Sequence, residues 1–358
     1  MSGLSEKFRR ILKKTEIGRK YRRFKRIKRI SGENTVGKVV DDFEGNLPQS
    51  RKEELVKDII CKAKKYGFTA EEYFFYHFMD KSEDEIKRFV SDTDRIEFCE
   101  RLNGDKVREI FDNKLKCADV FSKYFGRDFC GVESAKDLSK LKEFTQKHKR
   151  FILKPLDGSF GAGIAILEKE WNDSELENLI SDKCGVGKPG FIAEELIIQV
   201  PEMAQFHPKS LNTIRVATVK FNNEIKVVGA FFRTGRGESI VDNAGAGGIS
   251  GNIDIETGIV DAVGDERGNS YEAHPDTNVR IVGFTIPCWQ EAVKLAKELA
   301  TVVKGCRYTG WDLALTEKGW VMVEGNSRGQ FIWQIPSQKG FKEEANNILK
   351  RLGLPRIK

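Results

Sequence analysis

The chain has 358 residues, a formal net charge of +7, 39% hydrophobic and 32% charged residues and 24 phenylalanines, a balance that supports a sizeable core and excludes a wholly disordered, collagen-like or disulfide-scaffold protein. No apolar run approaches the roughly 20 residues that span a bilayer, and the basic N-terminus lacks the apolar segment of a signal peptide, so the sequence reads as that of a cytoplasmic protein. Seven scattered cysteines without a C-x-x-C pair read as reduced thiols, with neither a disulfide framework nor a zinc site.

The positive charge sits at one end. Residues 1–30 hold thirteen Lys/Arg against Glu6 and Glu16, so the remaining 328 residues carry a net −4. Leu4, Phe8, Ile11 and Leu12, then Ile17, Tyr21, Phe24 and Ile27 recur at three and four residues and predict short amphipathic helices with basic polar faces. Such helices suit peripheral contact with an anionic membrane; the competing reading is a solvated arm or a helix packed on its own domain. The stripe lacks a nucleic-acid-binding motif, and no nucleic acid is expected as a partner. Residues 31–50 read as a linker, so that 1–50 form a basic tail and linker, followed by a helical N-terminal region at 51–110.

The helical texture runs from Arg51 to His148. Thr69 with Glu72, Ser82 with Glu85, and Ser91 with Asp94 have the spacing of capping boxes, and Gly67 and Asn103-Gly104 read as helix stops. Beyond Phe151 the pattern changes to strands and glycine loops. The one clear helix there follows Pro287, with Trp289, Ala292, Val293, Ala296, Leu299, Ala300 and Val303 on one stripe.

Three constellations can carry chemistry. In the first, an apolar strand from Phe151 delivers Lys154, and the loop Gly158-Ser159-Phe160-Gly161-Ala162-Gly163 turns into a second apolar run. Glycines let backbone amides approach anionic oxygens, and an ammonium is a compact charge suited to polyphosphate; taken alone, a glycine hairpin after a strand also reads as a tight turn. It is not a Walker A loop, since no Gly-Lys-Ser/Thr ends it and no helix follows.

The second constellation is the C-terminal hairpin, Tyr308 to Leu315 with Trp320 to Asn326. With a three-residue turn at Glu317-Lys318-Gly319, Asp312 falls opposite Glu324, and Asn326 shares their face, while Trp311, Leu313, Leu315, Val321 and Val323 fill the other. Facing carboxylates repel unless a cation lies between them, and three oxygen donors suit Mg²⁺. The third lies between these two: the apolar segment Phe191 to Ile197 interrupted by Glu194 and Glu195, then a hairpin around Asn222-Asn223-Glu224 carrying Arg215 and Arg233. A three-residue loop there puts both arginines on one face, where with Lys154 they would form an anion clamp; a two-residue loop puts them on opposite faces. The glycine-rich stretch Val241 to Gly248 reads as a substrate loop.

The order of Asp112-Asn113-Lys114, Lys154-Pro155 with Gly158-Ser159-x-Gly161-x-Gly163, Glu194-Glu195-Leu196-Ile197, Asn212-Thr213-Ile214-Arg215-Val216, Asp312 and Glu324-Gly325-Asn326 resembles an ATP-grasp enzyme over about residues 105 to 345. It is most similar to the sugar-transfer-associated ATP-grasp group, relatives of glutamate-ligase-type enzymes. The resemblance implies an α+β fold in which two subdomains clasp ATP, with the domain at 111–358, its smaller lobe at about 149–197 and its larger lobe at about 198–358. It implies an ADP-forming carboxylate-amine ligase that activates a carboxylate as an acyl phosphate, acting in sugar or polysaccharide modification on partners such as an amino acid and a sugar or uronate. Lys114 and Lys154 would hold the α- and β-phosphates, and the loop with Gly158, Ser159, Gly161 and Gly163 would close over the β- and γ-phosphates. Glu194, Glu195, Leu196 and Ile197 would form the adenine hinge, and Glu202 would stand near the ribose. Asp312, Glu324 and Asn326 would bind Mg²⁺, and Arg215 and Arg233 would stabilise the transferring phosphoryl group. Asp112-Asn113-Lys114 has one residue more than the usual Asp-Lys pair. The alternatives are an ATP-grasp phosphotransferase acting on a non-carboxylate acceptor and a catalytically silent scaffold.

Overall fold

The computed structural model describes residues 15–158 and 161–357, which fall into two compact units. The first comprises residues up to Arg101 together with 266–269 and 338–358; the second comprises 102–265 and 270–337. Among the described residues no helix is long and apolar enough to cross a membrane.

The first unit is helical. Its first described helix is Glu16–Ile30, capped by the Thr15 hydroxyl, followed by Glu33–Glu44 and Gln49–Tyr66; the stripe expected at Leu4, Phe8, Ile11 and Leu12 lies outside the described residues. The expected linker at 31–50 is therefore mostly helix. Val36 and Val40, four residues apart, are fully buried, and Phe43 stacks on Phe74 with ring centroids 4.5 Å apart, an apolar stripe that outweighs the Gly, Asn and Asp of the segment. The capping boxes at Thr69/Glu72 and Ser82/Glu85 form in full. At Ser91 only half forms. The Asp94 amide donates to Ser91 Oγ, but the Asp94 carboxylate pairs with Arg23 and Lys342. Gly67 ends its helix in the left-handed conformation, φ 83°.

The second unit holds two antiparallel sheets. One has four strands, β1 (Phe129–Val132), β2 (Arg150–Pro155), β3 (Ala165–Glu168) and, after a two-residue ribbon of β4 (Cys184–Gly185) and β5 (Lys188–Pro189), β6 (Phe191–Glu195), in the order β1-β6-β2-β3. The other has β7 (Thr213–Lys220), β8 (Ile225–Thr234), β9 (Ile249–Ile253), β10 (Val260–Gly264), β11 (Tyr308–Thr316) and β12 (Gly319–Asn326), ordered β10-β9-β8-β7-β11-β12. The expected helix forms at Trp289–Val302 and buries Trp289, Ala292, Ala296, Leu299 and Ala300 in one core with Ile214, Val216, Phe232, Trp311 and Leu313 of the large sheet. The four-stranded sheet begins at Phe129, ahead of the boundary expected at about 149.

Two hairpins of the large sheet, β11-β12 and β7-β8, depart from the expected turns. In β11-β12, Thr316 pairs with Gly319, so the turn has two residues, and a bulge between the Leu313-Met322 and Asp312-Glu324 pairs inserts Val323. The extra residue restores the register a three-residue turn would give, and Asp312 stands opposite Glu324. It also corrects the facing: Met322, not Val321 or Val323, is buried with Leu313 and Leu315. In β7-β8 the pair nearest the loop is Lys220-Ile225, and a second bulge leaves Arg215 opposite Phe231 and Thr213 opposite Arg233. Both arginines share one face.

Candidate active site

Strand alternation decides which side chains reach the site. In the small sheet Phe151, Leu153, Phe191 and Ala193 are buried with Leu141, Phe144, Leu176 and Ile180 of the flanking helices, so Lys154 and Glu194 fall on the opposite face. Lys154 Nζ lies 2.9 Å from Glu194 Oε2. Arg127, just before β1, reaches the same oxygen with Nε at 2.7 Å and Nη2 at 2.6 Å. Burial works to raise the Glu194 pKa, but Arg127 and Lys154 outweigh it and hold the carboxyl below its ordinary range. Arg127 also donates to the Met322 carbonyl at 2.7 Å and the Val323 carbonyl at 3.2 Å. It thus ties the small sheet to the bulge that sets the register of β12.

Lys114 opens the helix Lys114–Val120 behind the Asn113 cap. Its ammonium donates to the Gly158 carbonyl and its amide to the Leu156 carbonyl at 3.1 Å, which fixes the start of the glycine loop. Burial lowers its pKa, Glu324 opposes that, and nearby Lys154 adds to it. Gly161 has φ 76°, and a Cβ there would come within 3.0 Å of Asn243 Nδ2, so the two glycine-rich loops approach each other where only a glycine fits. Ser159 lies outside the described residues.

On the large sheet Arg215 grips Asp312 with Nε to Oδ1 at 2.5 Å and Nη2 to Oδ2 at 2.6 Å. Gly310 makes room for it: a Cβ there would stand 3.0 Å from Arg215 Cδ. Arg233 Nη2 reaches Asp312 Oδ2 at 3.1 Å and Asp242 Oδ1 at 3.0 Å, and its Nε reaches Thr213 Oγ1 at 3.1 Å. Thr213 also bonds Asp242. Asp242 thereby anchors the 241–248 segment, which carries a 3-10 turn at Ala244–Ala246. Burial pushes the Asp312 pKa up, yet Arg215 and Arg233 hold it below the ordinary value. Neither guanidinium's Nη1 has a hydrogen-bond partner among the described residues.

Glu324 faces Asp312 across the hairpin, and Asn326 Nδ2 donates to Glu324 Oε1 at 3.0 Å. Two carboxylates and an amide give an all-oxygen donor set that fits a hard divalent cation. Arginines compensate Asp312, whereas Glu324 has an amide. A second acidic group, Asp128, His148 and Glu195, brings its ligand atoms within 4.8 Å of one another at the end of β6. There Asp128 already pairs with Lys147 and His148, which lower its pKa in that order.

The remaining expected positions divide. Glu195 ends β6 and accepts the Asp128 amide at 3.1 Å; Leu196 and Ile197 follow it outside regular structure, half-buried. Glu194 is a strand residue whose side chain is engaged inside the sheet, so its part is an ion pair as well as a backbone position. Glu202 is exposed on the short helix Pro201–Ala204 and is not brought to the other site residues by any hydrogen bond or ion pair of its carboxylate among the described residues. His207 is buried between Ser210 Oγ and the Gly237 carbonyl, a structural position. Sequence reading missed Arg127, Asp242 and Asn103. Asn103, read as a helix stop, donates to the Tyr308 and Ser327 carbonyls at 2.6 and 2.8 Å and so clasps both ends of the β11-β12 hairpin.

A family described as sugar-transfer associated ATP-grasp matches residues 93–350. No curated protein is matched. Among solved structures the chain is similar to an N5-carboxyaminoimidazole ribonucleotide synthetase in its ADP complex, at 14% identity and TM-score 0.44, covering 71% of this chain and 55% of that one. The corresponding synthetase of Thermus thermophilus is 14% identical, TM-score 0.43, over 70% and 55%. D-alanyl-alanine synthetase A of Vibrio cholerae O1 biovar eltor is 10% identical, TM-score 0.43, over 70% and 68%. The chain spans about half the length of the first of these.

Proposed function

Since the chain belongs to the sugar-transfer-associated ATP-grasp family, with the α+β ATP-grasp fold, we propose that it is a cytoplasmic ATP- and Mg²⁺-dependent ligase that activates a carboxylate as an acyl phosphate for attack by an amine, in sugar or polysaccharide modification. The observation that carries this reading is the convergence on one sheet face of Arg215 and Arg233 with Asp312 opposite Glu324.

Lys154 and Lys114 bind the α- and β-phosphates of ATP, and the Gly158–Gly163 loop, fixed at its start by Lys114, covers the β- and γ-phosphates. The segment from Glu195 to Ile197 receives the adenine. Arg215 and Arg233, each with one Nη1 outside the ion pairs, donate to the oxygens that gain charge as the substrate carboxylate attacks the γ-phosphorus and ADP leaves. The amine then attacks the acyl carbon, phosphate departs, and the amine proton is released. Preorganised guanidiniums suit this chemistry, because phosphoryl transfer needs positioning and charge stabilisation more than an acid or base. Asp312, Glu324 and Asn326 would hold Mg²⁺, whose chemistry is to neutralise charge on the phosphates.

Calorimetry with ATP and Mg²⁺ is the first test: saturable binding is expected, and its absence overturns the reading. Incubation with pairs of amino acids and amino sugars or uronates should then release ADP and phosphate together with an amide. ADP release with phosphate retained on the acceptor would identify a phosphotransferase instead.

A further inference from the structure

The two faces of the Glu16–Ile30 helix differ. Four of its five arginines turn to their own unit: Arg22 Nη2 lies 2.8 Å from Glu100, Arg23 pairs with Asp94 and Glu97, Arg26 donates to the Thr93 carbonyl at 3.4 Å, and Arg19 pairs with Glu16, while Arg29 is exposed. Asp94, Glu97 and Glu100 recur at three residues along the Asp92–Leu102 helix and so present one acidic stripe to the arginines. Ile30 is buried behind them.

The opposite face is different in kind. Ile17, Tyr21 and Phe24 stand 72%, 57% and 63% exposed, an apolar row at i, i+4 and i+7. Lys20, Lys25 and Lys28 are exposed beside them, and Lys25 Nζ sits 4.8 Å over the Tyr21 ring. Guanidiniums suit desolvated, forked pairing, whereas strongly hydrated ammonium groups on long stems suit a wet polar boundary above an apolar layer. A solvated arm has no reason to expose three large apolar side chains in line, and an arm bound only to phosphate would have no use for them.

We propose that this face docks the protein on an anionic lipid surface, with Ile17, Tyr21 and Phe24 in the acyl boundary and Lys20, Lys25 and Lys28 at the headgroups. The charge complementarity argues for the occupant: the chain's excess positive charge is confined to its first 30 residues while the rest carries a net −4, so only this end is drawn to a negative surface. Because the arginine contacts hold the helix on its own unit, docking orients a folded body instead of tethering it by a loose tail. The inference stands apart from the reading of the active site.

The test is sedimentation of the full-length protein with phosphatidylcholine vesicles with and without phosphatidylserine. Binding is expected only with phosphatidylserine, and it should weaken as salt shortens the screening length, about 8 Å at physiological ionic strength. At about fivefold per lysine, the triple change Lys20→Gln, Lys25→Gln, Lys28→Gln should weaken partitioning about a hundredfold. Ile17→Ser, Tyr21→Ser, Phe24→Ser should abolish it with the same melting temperature as the unaltered chain, since these side chains are exposed. Binding by either triple variant as tight as that of the unaltered chain overturns the proposal, as does equal binding of the unaltered chain to vesicles lacking phosphatidylserine. So does loss of binding on deleting residues 1–14 while the triple variants still bind, which would move the site to that segment. A salt-sensitive complex with short RNA that matches vesicle affinity, or a dimer that only the apolar triple variant dissolves, would assign the face to another partner.

Discussion

Asp312 and Arg215 are direct partners across β11 and β7, and their side chains meet fork to fork, with two parallel hydrogen bonds of 2.5 and 2.6 Å. A guanidinium can hold both carboxylate oxygens and still present a third nitrogen; an ammonium cannot. Arg215→Lys is therefore expected to fold but to lose about 10²–10³ in turnover, as when one preorganised donor is removed from a transition state. Arg215→Ala leaves a buried carboxylate short of its partner and is expected to cost about 3–5 kcal/mol in stability. Turnover of Arg215→Lys close to that of the unaltered enzyme would remove Arg215 from the catalytic group.

Two of the buried carboxyls, Asp312 and Glu194, are expected to make the fold sensitive to acid. The pKa values of Asp312 and Glu194 are both lowered in the folded chain, from ordinary values of 3.8 and 4.5. Below those values the unfolded chain binds protons that the native chain does not, so stability rises with pH in that window. Their contribution is fully present above about pH 5, and it declines as pH falls through the folded values. Urea midpoints measured against pH should fall on the acid side, and Glu194→Gln should flatten part of that limb. An acid limb unchanged in both Glu194→Gln and Asp312→Asn would show that other groups govern it.

Arg127 is a positioning residue with a distinct signature. It shares Glu194 with Lys154; without it the buried carboxylate would draw on Lys154 alone and hold that ammonium away from a phosphate. Arg127→Met should raise KM for ATP about tenfold with a smaller change in kcat, and destabilise the fold by about 2–4 kcal/mol. Adding Glu194→Gln should restore much of the affinity, because it releases Lys154. A purely structural role predicts no such rescue.

Glu324 faces a carboxylate, and that opposition has a cost. Opposed like charges on paired strands destabilise by a few tenths of a kcal/mol or more. Glu324→Gln keeps an acceptor for Asn326; it removes the repulsion with Asp312 together with the compensation of Lys114 and Arg215, so its melting temperature should change little while Mg²⁺-dependent turnover is lost. Loss of function without loss of stability marks a residue kept for its chemistry. Full turnover in Glu324→Gln would take it out of the metal set.

The legibility of the sequence varied with the range of the interaction. Capping at Thr69 and Ser82, the stop at Gly67 and the Trp289–Val302 helix depend on neighbours within a few residues, and their patterns were readable. The Gly, Asn and Asp of residues 33–44 mask the Val36/Val40/Phe43 stripe that makes this segment a helix. Lys154 follows from strand alternation, whereas the Asp312-Glu324 opposition, expected from a three-residue turn, arises from a two-residue turn and a bulge. The face of Arg215 and Arg233 turned on a bulge, which leaves no local mark. Arg127, Asn103 and Asp242 act on partners 67, 205 and 29 residues away, and no periodicity announces such contacts.

The bulge at Val323 also separates two kinds of constraint on the chain. Between Val323 and the Thr316-Gly319 pair the ladder runs in one register, and on the far side, where the carboxylates stand, it runs in another. What the site requires is only that Asp312 and Glu324 be separated by eleven residues that fold back on themselves; a longer turn without a bulge would satisfy that count as well as a tight turn with one. The tip of the hairpin is thereby free to drift in length, provided that a compensating change occurs at Val323, and the opposed carboxylates are insulated from what happens there.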